Sequence, residues 1–478
     1  MIGRTNASAG GGAPITGHRV RFIYPDGTIA GDQIVANGGN AVVPTSHPTI
    51  ANTTFYGWNQ ATTNITHPRE IGAIYRTTDT NKSYFVVEVC DKSGLTGMQM
   101  TFSSVTNPSA GQWTIDWGDG EVYTSTASGA ITVSKTNPYP SNGTYTIIFD
   151  ATNIFAFSMT STAAPLNAAW NIFVKQINFG EKLYSCSLSQ TNLKSLETIT
   201  LGSTGIWSPN ATGLYSLKAV VFNSNCTTMS IDTSYSLKAI SFPDGVSFSI
   251  SNAKNLYNLD RFIFPDGQTN STLTSFTLEN NLNISEVWIP SAVTYLPRYF
   301  LTSPLIRTFN LSQFTTLHTS GSNLQNSGLA SADVSQFTSI PYRLFYNNYN
   351  LETAVLPTTT SSSTTLGREC FYANYKLKSV NIPTNTTVID QYCFYTCYSL
   401  PELDLPSTVT TINQYAIYLL YNLNKLICRA TTPQTLDTNA LSLLEKTKIY
   451  VPDASVAAYK AAAGWSTYAT QIYAISTM

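Results

Sequence analysis

The strongest constraint in this sequence is a period. Tyr375-Lys376-Leu377-Lys378-Ser379-Val380-Asn381-Ile382-Pro383 returns as Tyr398-Ser399-Leu400-Pro401-Glu402-Leu403-Asp404-Leu405-Pro406, and again as Tyr421-Asn422-Leu423-Asn424-Lys425-Leu426-Ile427-Cys428, so the anchors Leu377, Leu400 and Leu423 stand 23 residues apart. An apolar anchor with apolar residues at +3 and +5 extends this pattern upstream to Val174, Leu196, Leu217, Leu237, Leu259, Ile284, Ile306, Leu329 and Leu351, at intervals of 20 to 26 residues. A period in this range predicts stacked coils, because each unit is too small to bury its apolar side alone and does so only against its neighbours. Leu273 to Leu278 also fits the short template, inside an interval of 25, and reads as part of a longer coil.

Within each unit, positions +3 and +5 share strand parity and point inward, while +2 and +4 point out. Val380 and Ile382 are therefore expected in the core, with Ser379 and Asn381 in solvent. Proline at 243, 265, 290, 357, 383 and 406 ends the strand by removing a ladder donor. A second apolar element, as in Ile389 to Phe394 and Ile412 to Ile417, is expected on the opposite wall, with Phe345, Phe371 and Phe394 filling the space between.

These units resemble the BspA-like leucine-rich repeats: a short strand ending in Pro, an isoleucine-bearing segment, then an Ala-Phe or Cys-Phe pair. The resemblance spans about residues 165 to 452 and is clearest from Tyr349 onward, while around Ser203 to Leu214 and Asn223 to Ser234 the Ala-Phe element is missing or altered. Ile449 to Pro452 supplies a last strand. Asp453 reads as an N-cap for a helix over Ala454 to Ala463, with Gly464 as its stop and with Tyr459 and Trp465 placed to seal the end of the stack.

Two small β units precede the repeat. Val20 to Tyr24, the turn Pro25-Asp26-Gly27, Asp32 to Val35 and Tyr56 to Asn59 read as alternating strands, since Gly accepts the positive φ that such a turn needs. With Gly57-Trp58 and Ile65-Thr66, this stretch resembles the internalin-B-type repeat, which implies a small β-grasp-like module. Farther on, Trp113-Thr114-Ile115-Asp116-Trp117-Gly118-Asp119-Gly120 and Gly143 to Ile148 look like the polycystic-kidney-disease-type β-sandwich. The expected organisation is a mainly β chain with a Gly-rich docking segment at 1–17, the β-grasp-like module at 18–80, the PKD/Ig-like sandwich at 81–162, a leucine-rich-repeat solenoid at 163–452 and a short capping helix within 453–478.

Composition narrows the function. The chain has 478 residues but only 26 Lys and Arg against 27 Asp and Glu, a net charge of −1. This balance gives no basic footprint for nucleic acid. No apolar run is long enough to span a bilayer, and the opening Met1 to Gly12 lacks the apolar segment of a secretory signal, so neither membrane insertion nor self-directed export is expected. Seven cysteines without C-x-x-C pairs and four scattered histidines indicate neither zinc nor a disulfide framework; Cys393 and Cys397, four apart, read as buried filler. Asp116 and Asp119 are the one weak metal candidate, but two carboxylates fall short of the oxygen count calcium needs, which favours a turn-forming role. No nucleophile motif or phosphate loop points to catalysis, paired acids for sugar hydrolysis stay open because sequence does not show which carboxylates meet in space, and no cofactor is expected.

Binding is the remaining class. Two residues before their anchors stand Tyr215, Tyr235, Tyr257, Tyr349, Tyr375, Tyr398 and Tyr421, which stacking would assemble into a ladder. Such a ladder offers either a platform for a sugar or protein, or mutual edge protection within the stack. At +4, Trp288 is expected to be exposed and is the leading single contact residue, or else is covered by a partner copy. The opening Met1 to Asn6 followed by Gly and Ala resembles the starts of gut-bacteriophage tail and fibre proteins. That implies a virion surface protein, docked through its N-terminal part on other virion proteins, with the repeat array meeting a host glycan or protein. A bacterial cell-surface adhesin is the rival expectation, and a glycan-active enzyme the third.

Overall fold

The computed structural model describes residues 17–90, 99–107, 111–150, 156–159, 172–181, 185–188, 193–201, 210–226, 228–273, 276–318, 320–361 and 364–478. Residues 1–16 of the expected docking segment lie outside them. The fold is mainly β, built around a solenoid of about twelve coils.

The first module is a four-stranded sheet of β1 (Gly17–Ile23), β2 (Ile29–Ala36), β3 (Thr53–Trp58) and β4 (Arg69–Thr77), in the order β2-β1-β4-β3. Strands β1 and β4 run parallel, and the two outer pairings are antiparallel. The Asp-Gly turn forms as its chemistry demands: Gly27 takes φ +82°, and Asp26 accepts the Thr28 N–H at 2.9 Å. One face of the sheet buries two adjoining clusters, Val20, Phe22, Ile65 and Ile71 in one and Tyr24, Ile50, Ala73 and Tyr75 in the other, with Trp58 packed on both.

Next come β5 (Lys82–Val89), β6 (Gln99–Thr106), β7 (Trp113–Asp116), β8 (Val122–Ser125), β9 (Gly129–Ser134), β10 (Gly143–Asp150), β11 (Ala156–Met159), β12 (Ile172–Asn178), β13 (Ser185–Leu188) and β14 (Thr198–Thr200). They make two sheets, β14-β12-β5-β10-β7-β8 and β13-β11-β6-β9. Strand β12, which carries the first anchor Val174, pairs antiparallel with β5 on one side and parallel with β14 on the other. In the second sheet β13 runs parallel to β11. Each sheet of the sandwich therefore continues into a solenoid wall, and one hydrophobic core runs from Phe85 to Ile472. The expected boundary near residue 162 separates no two cores. A first coil left open would expose both its apolar interior and its strand edges, and the sandwich covers them.

Every anchor from Val174 to Leu423 is buried. The anchor-side strands pair in parallel, as in Ala219–Val221 with Ala239–Ser241 and Glu402–Leu405 with Lys425–Cys428. The opposite wall is equally parallel, with Leu366, Ile389, Ile412 and Leu436 in register. Between the walls Phe345, Phe371 and Phe394 stack at 5.3 Å. Cys370, Cys393, Cys397 and Cys428 are fully buried in the same core, and burial pushes their thiols up. Upstream, where the Ala-Phe element fails, strands replace the turns: Asn210–Thr212, Thr228–Asp232 and Ser249–Lys254 form a parallel sheet.

At the far end the helix differs from expectation. Helix α1 spans only Val456–Ala461, after a 3-10 turn at Asp453–Ser455, and Asp453 does not cap it. Its carboxylate instead accepts the Ser476 N–H at 3.1 Å, tying the terminal segment back to the last coil. Tyr459 and Trp465 are fully buried with ring centroids 5.1 Å apart, and Trp465 Nε1 donates to the Gln434 carbonyl at 2.9 Å.

Candidate functional site

The tyrosines two residues before the anchors form two stacked blocks. Tyr215, Tyr235 and Tyr257 lie at centroid spacings of 5.1 and 5.2 Å. Tyr349, Tyr375, Tyr398 and Tyr421 follow at 5.0, 5.1 and 5.1 Å, with planes within 14° of parallel. The coil rise sets this spacing, since parallel strands stand about 4.8 Å apart. Leu282, Pro304 and Ser327 occupy the same register between the blocks and interrupt the file. Inside a block each ring face is covered by its neighbour, so the ladder shows partners its edges and a row of phenol hydroxyls rather than flat faces. Those seven hydroxyls make no hydrogen bond among the described residues.

A second file was not anticipated. Tyr346, Tyr372, Tyr395 and Tyr418 stack at 4.9, 5.2 and 5.9 Å along another edge of the same coils. Tyr392 and Tyr415 stack beside it at 5.0 Å and meet Tyr395 and Tyr418 edge-on. Burial raises the Tyr372 and Tyr395 hydroxyls above the ordinary tyrosine value. Its sequence signal is a tyrosine directly after Phe345, Phe371, Phe394 and Ile417.

Trp288 is not freely exposed. The N-terminal module lies over the outer wall of the first coils, and His67 stacks on Trp288 with centroids 4.4 Å apart and planes 14° from parallel. The outward positions Val221, Ser241 and Ile263 are buried by the same contact. Ile23 packs on Ala219 and Ala239, the small +2 residues that let a sheet approach. Asn59 Nδ2 donates to the Phe222 carbonyl at 2.9 Å, and Arg69 pairs with Asp244 at 2.7 Å. At the centre Glu70, fully buried, is gripped by Arg21 and by Arg261, while Arg21 also meets Asp260 at 2.9 Å and Arg261 meets Glu286 at 2.7 Å. The covering group is thus the chain's own first module.

Asp116 and Asp119 serve the hairpin. Asp116 accepts the Gly118 N–H at 2.8 Å, and Asp119 is neutralised by Lys135 Nζ at 2.7 Å, with Glu121 on the same ammonium at 2.8 Å. A cation is already supplied by the protein there. Among the described residues no group of three or more His, Cys, Asp or Glu is arranged to hold a metal ion, and no helix is long and apolar enough to cross a membrane.

Residues 213–328 and 338–459 match, in six copies, the family described as BspA type leucine rich repeat region. Among solved structures, a leucine-rich repeat protein from Bacteroides ovatus aligns at 14% identity over 67% of this chain and 94% of that one, with a TM-score of 0.43. A leucine rich cell surface protein from Faecalibacterium prausnitzii aligns at 13% over 67% and 89%, with a TM-score of 0.30, and the pneumococcal vaccine antigen PcpA at 10% over 68% and 82%, with 0.35. No protein of curated function matches.

Proposed function

We propose that this chain, whose residues 213–328 and 338–459 are BspA-type leucine-rich repeats, is a non-enzymatic adhesion protein displayed on a surface, most specifically that of a bacteriophage particle. Its N-terminal part holds it to other virion proteins, and its repeat array meets a glycan or protein on the host. The observation that carries the binding role is the pair of tyrosine files. They set rows of phenol hydroxyls, able to donate and accept, along a wall backed by one continuous core.

The carboxylates speak for binding over hydrolysis. Glu70, Asp260 and Glu286 gather around Arg21 and Arg261, and Asp119 and Glu121 around Lys135, so their charge is committed to ion pairs. The sequence of the opening segment supports the virion location, and the leucine-rich repeats support surface display. Mass spectrometry of purified virions tests this reading. Stoichiometric recovery with the particle is expected, and recovery from bacterial envelopes alone would instead make the chain a cell-surface adhesin.

A further inference from the structure

Where the first module ends its contact with the solenoid, the two leave a cleft of about 550 Å³ between them. Asn64, His67 and Arg69 come from the module, and Asp266, Trp288 and Gln313 from the repeat, so neither part owns it alone. The stacked His67–Trp288 pair supplies a flat aromatic surface in its wall. Arg69 is buried at the cleft with spare donor capacity: both of its hydrogen bonds leave from Nη1, to Asp244 and to the Ala61 carbonyl, and Nε has no acceptor.

Acceptors stand beside it. Asp266 uses Oδ1 to hold the Gly245 N–H, and Oδ2 has no partner among the described residues. Gln313 spends its Nε2 on the Pro290 and Val293 carbonyls, which leaves Oε1 unpartnered. The exposed Asn64 amide adds one donor group and one acceptor.

A ligand that satisfies this set must carry an apolar face and several groups that both donate and accept, which describes a pyranose ring with its hydroxyls. Charge decides among pyranoses. Asp244 and Asp266 outnumber Arg69, and burial together with Arg69 lowers His67, which works against its charged form. A carboxylated sugar would meet net negative charge.

The geometry points to a binding site for a neutral pyranose of a glycan in the cleft between the first module and the repeat, with the ring against Trp288 and its hydroxyls on Asp266 and Asn64. This deepens the adhesion reading and rests on it.

The test is saturation-transfer NMR on the full chain. The probes are the methyl glycosides of glucose, galactose, mannose and N-acetylglucosamine, with N-acetylneuraminic acid as anionic control. At least one neutral glycoside is expected to bind saturably with a Kd on the order of 1 mM. Binding should weaken at least about tenfold in Trp288→Ala and in Asp266→Asn. Asp266→Asn keeps the residue's shape, so it remains informative if Trp288→Ala loosens the module. Absence of any saturable neutral-sugar signal, preference for N-acetylneuraminic acid, or full binding in Asp266→Asn would overturn the site. Host-cell adhesion by the unmodified chain, measured in parallel, separates the two readings: adhesion without sugar binding removes the cleft and keeps the function, and loss of both removes the function.

Discussion

Glu70 and Arg261, 191 residues apart in sequence, form an ion pair with both side chains almost completely shielded from water. One belongs to an inner strand of a small sheet and the other to an outward position of a solenoid coil. Together with Arg21, which donates to both Glu70 oxygens, the pair fixes the first module on the repeat.

Breaking this pair from one side removes the buried acceptor that two guanidinium groups share. Glu70→Ala leaves Arg21 with only Asp260 and Arg261 with only Glu286, both partly exposed, and is expected to cost up to about 3–5 kcal/mol, the usual figure for removing one partner of a buried pair. Urea unfolding followed by the fluorescence of the module's tryptophan should show the loss, and an unchanged midpoint would mean that the interface is open to solvent.

Steric crowding at the same interface should release the module without attacking its charges. A Cβ at Gly72 would run into Val221 and Ser241. Gly72→Val is therefore expected to free the connection at Thr78 to Asn81 for limited proteolysis while the solenoid's unfolding midpoint stays unchanged. Protection equal to that of the unmodified chain would contradict the docked arrangement.

The tyrosine file is expected to hold the stack together as well as to display it. Tyr398 lies between Tyr375 and Tyr421, and Tyr398→Ala removes two ring contacts, which at about 0.5–1.5 kcal/mol each amounts to about 1–3 kcal/mol. Tyr421→Ala ends the block and removes one, so its effect should be about half. Thermal unfolding of the two variants checks the ratio, and equal effects would deny the stacking.

Acid should loosen the sandwich through Glu121. Burial pushes this carboxyl up, but the Lys135 ammonium and the Thr136 and Asn137 N–H groups outweigh it and hold it at about 2. Because the folded value lies below the ordinary 4.5, the contribution is complete above 4.5 and is lost as pH falls toward 2. Glu121→Gln should be less stable at neutral pH and should flatten the decline in that window, read from the circular dichroism of the buried Trp113 and Trp117.

Chelation should leave the same hairpin intact. With Lys135 already on Asp119, excess EDTA is expected to shift neither the unfolding midpoint nor the tryptophan signal. A clear drop in midpoint would reinstate Asp116 and Asp119 as metal ligands.

The repeat was legible because each of its signals is local and recurs. Anchor, +3 and +5 residues from Leu217 to Leu259 are all buried, as strand parity requires, and the interval of about 23 residues alone placed the first tyrosine file. The second file carried the same periodic signal, but the tyrosines follow Phe345, Phe371, Phe394 and Ile417, which fill the core, and the sequence pattern there reads as packing. Asp453 shows the limit of cap signals: its carboxylate found the Ser476 N–H, supplied by chain folded back over 23 residues.

What the sequence determined by itself is the stack, since burial in a solenoid depends on neighbours one period away and the pattern repeats in every unit. What only the tertiary structure decided is which outward faces remain outward. Ala219, Ala239, Arg261 and Trp288 all sit at positions that parity sends to solvent, and all are met by the first module from at least 150 residues earlier in the chain. Such a contact leaves no period in the sequence, because the partner surface is a different fold and its complementarity in shape and charge exists only once both have formed.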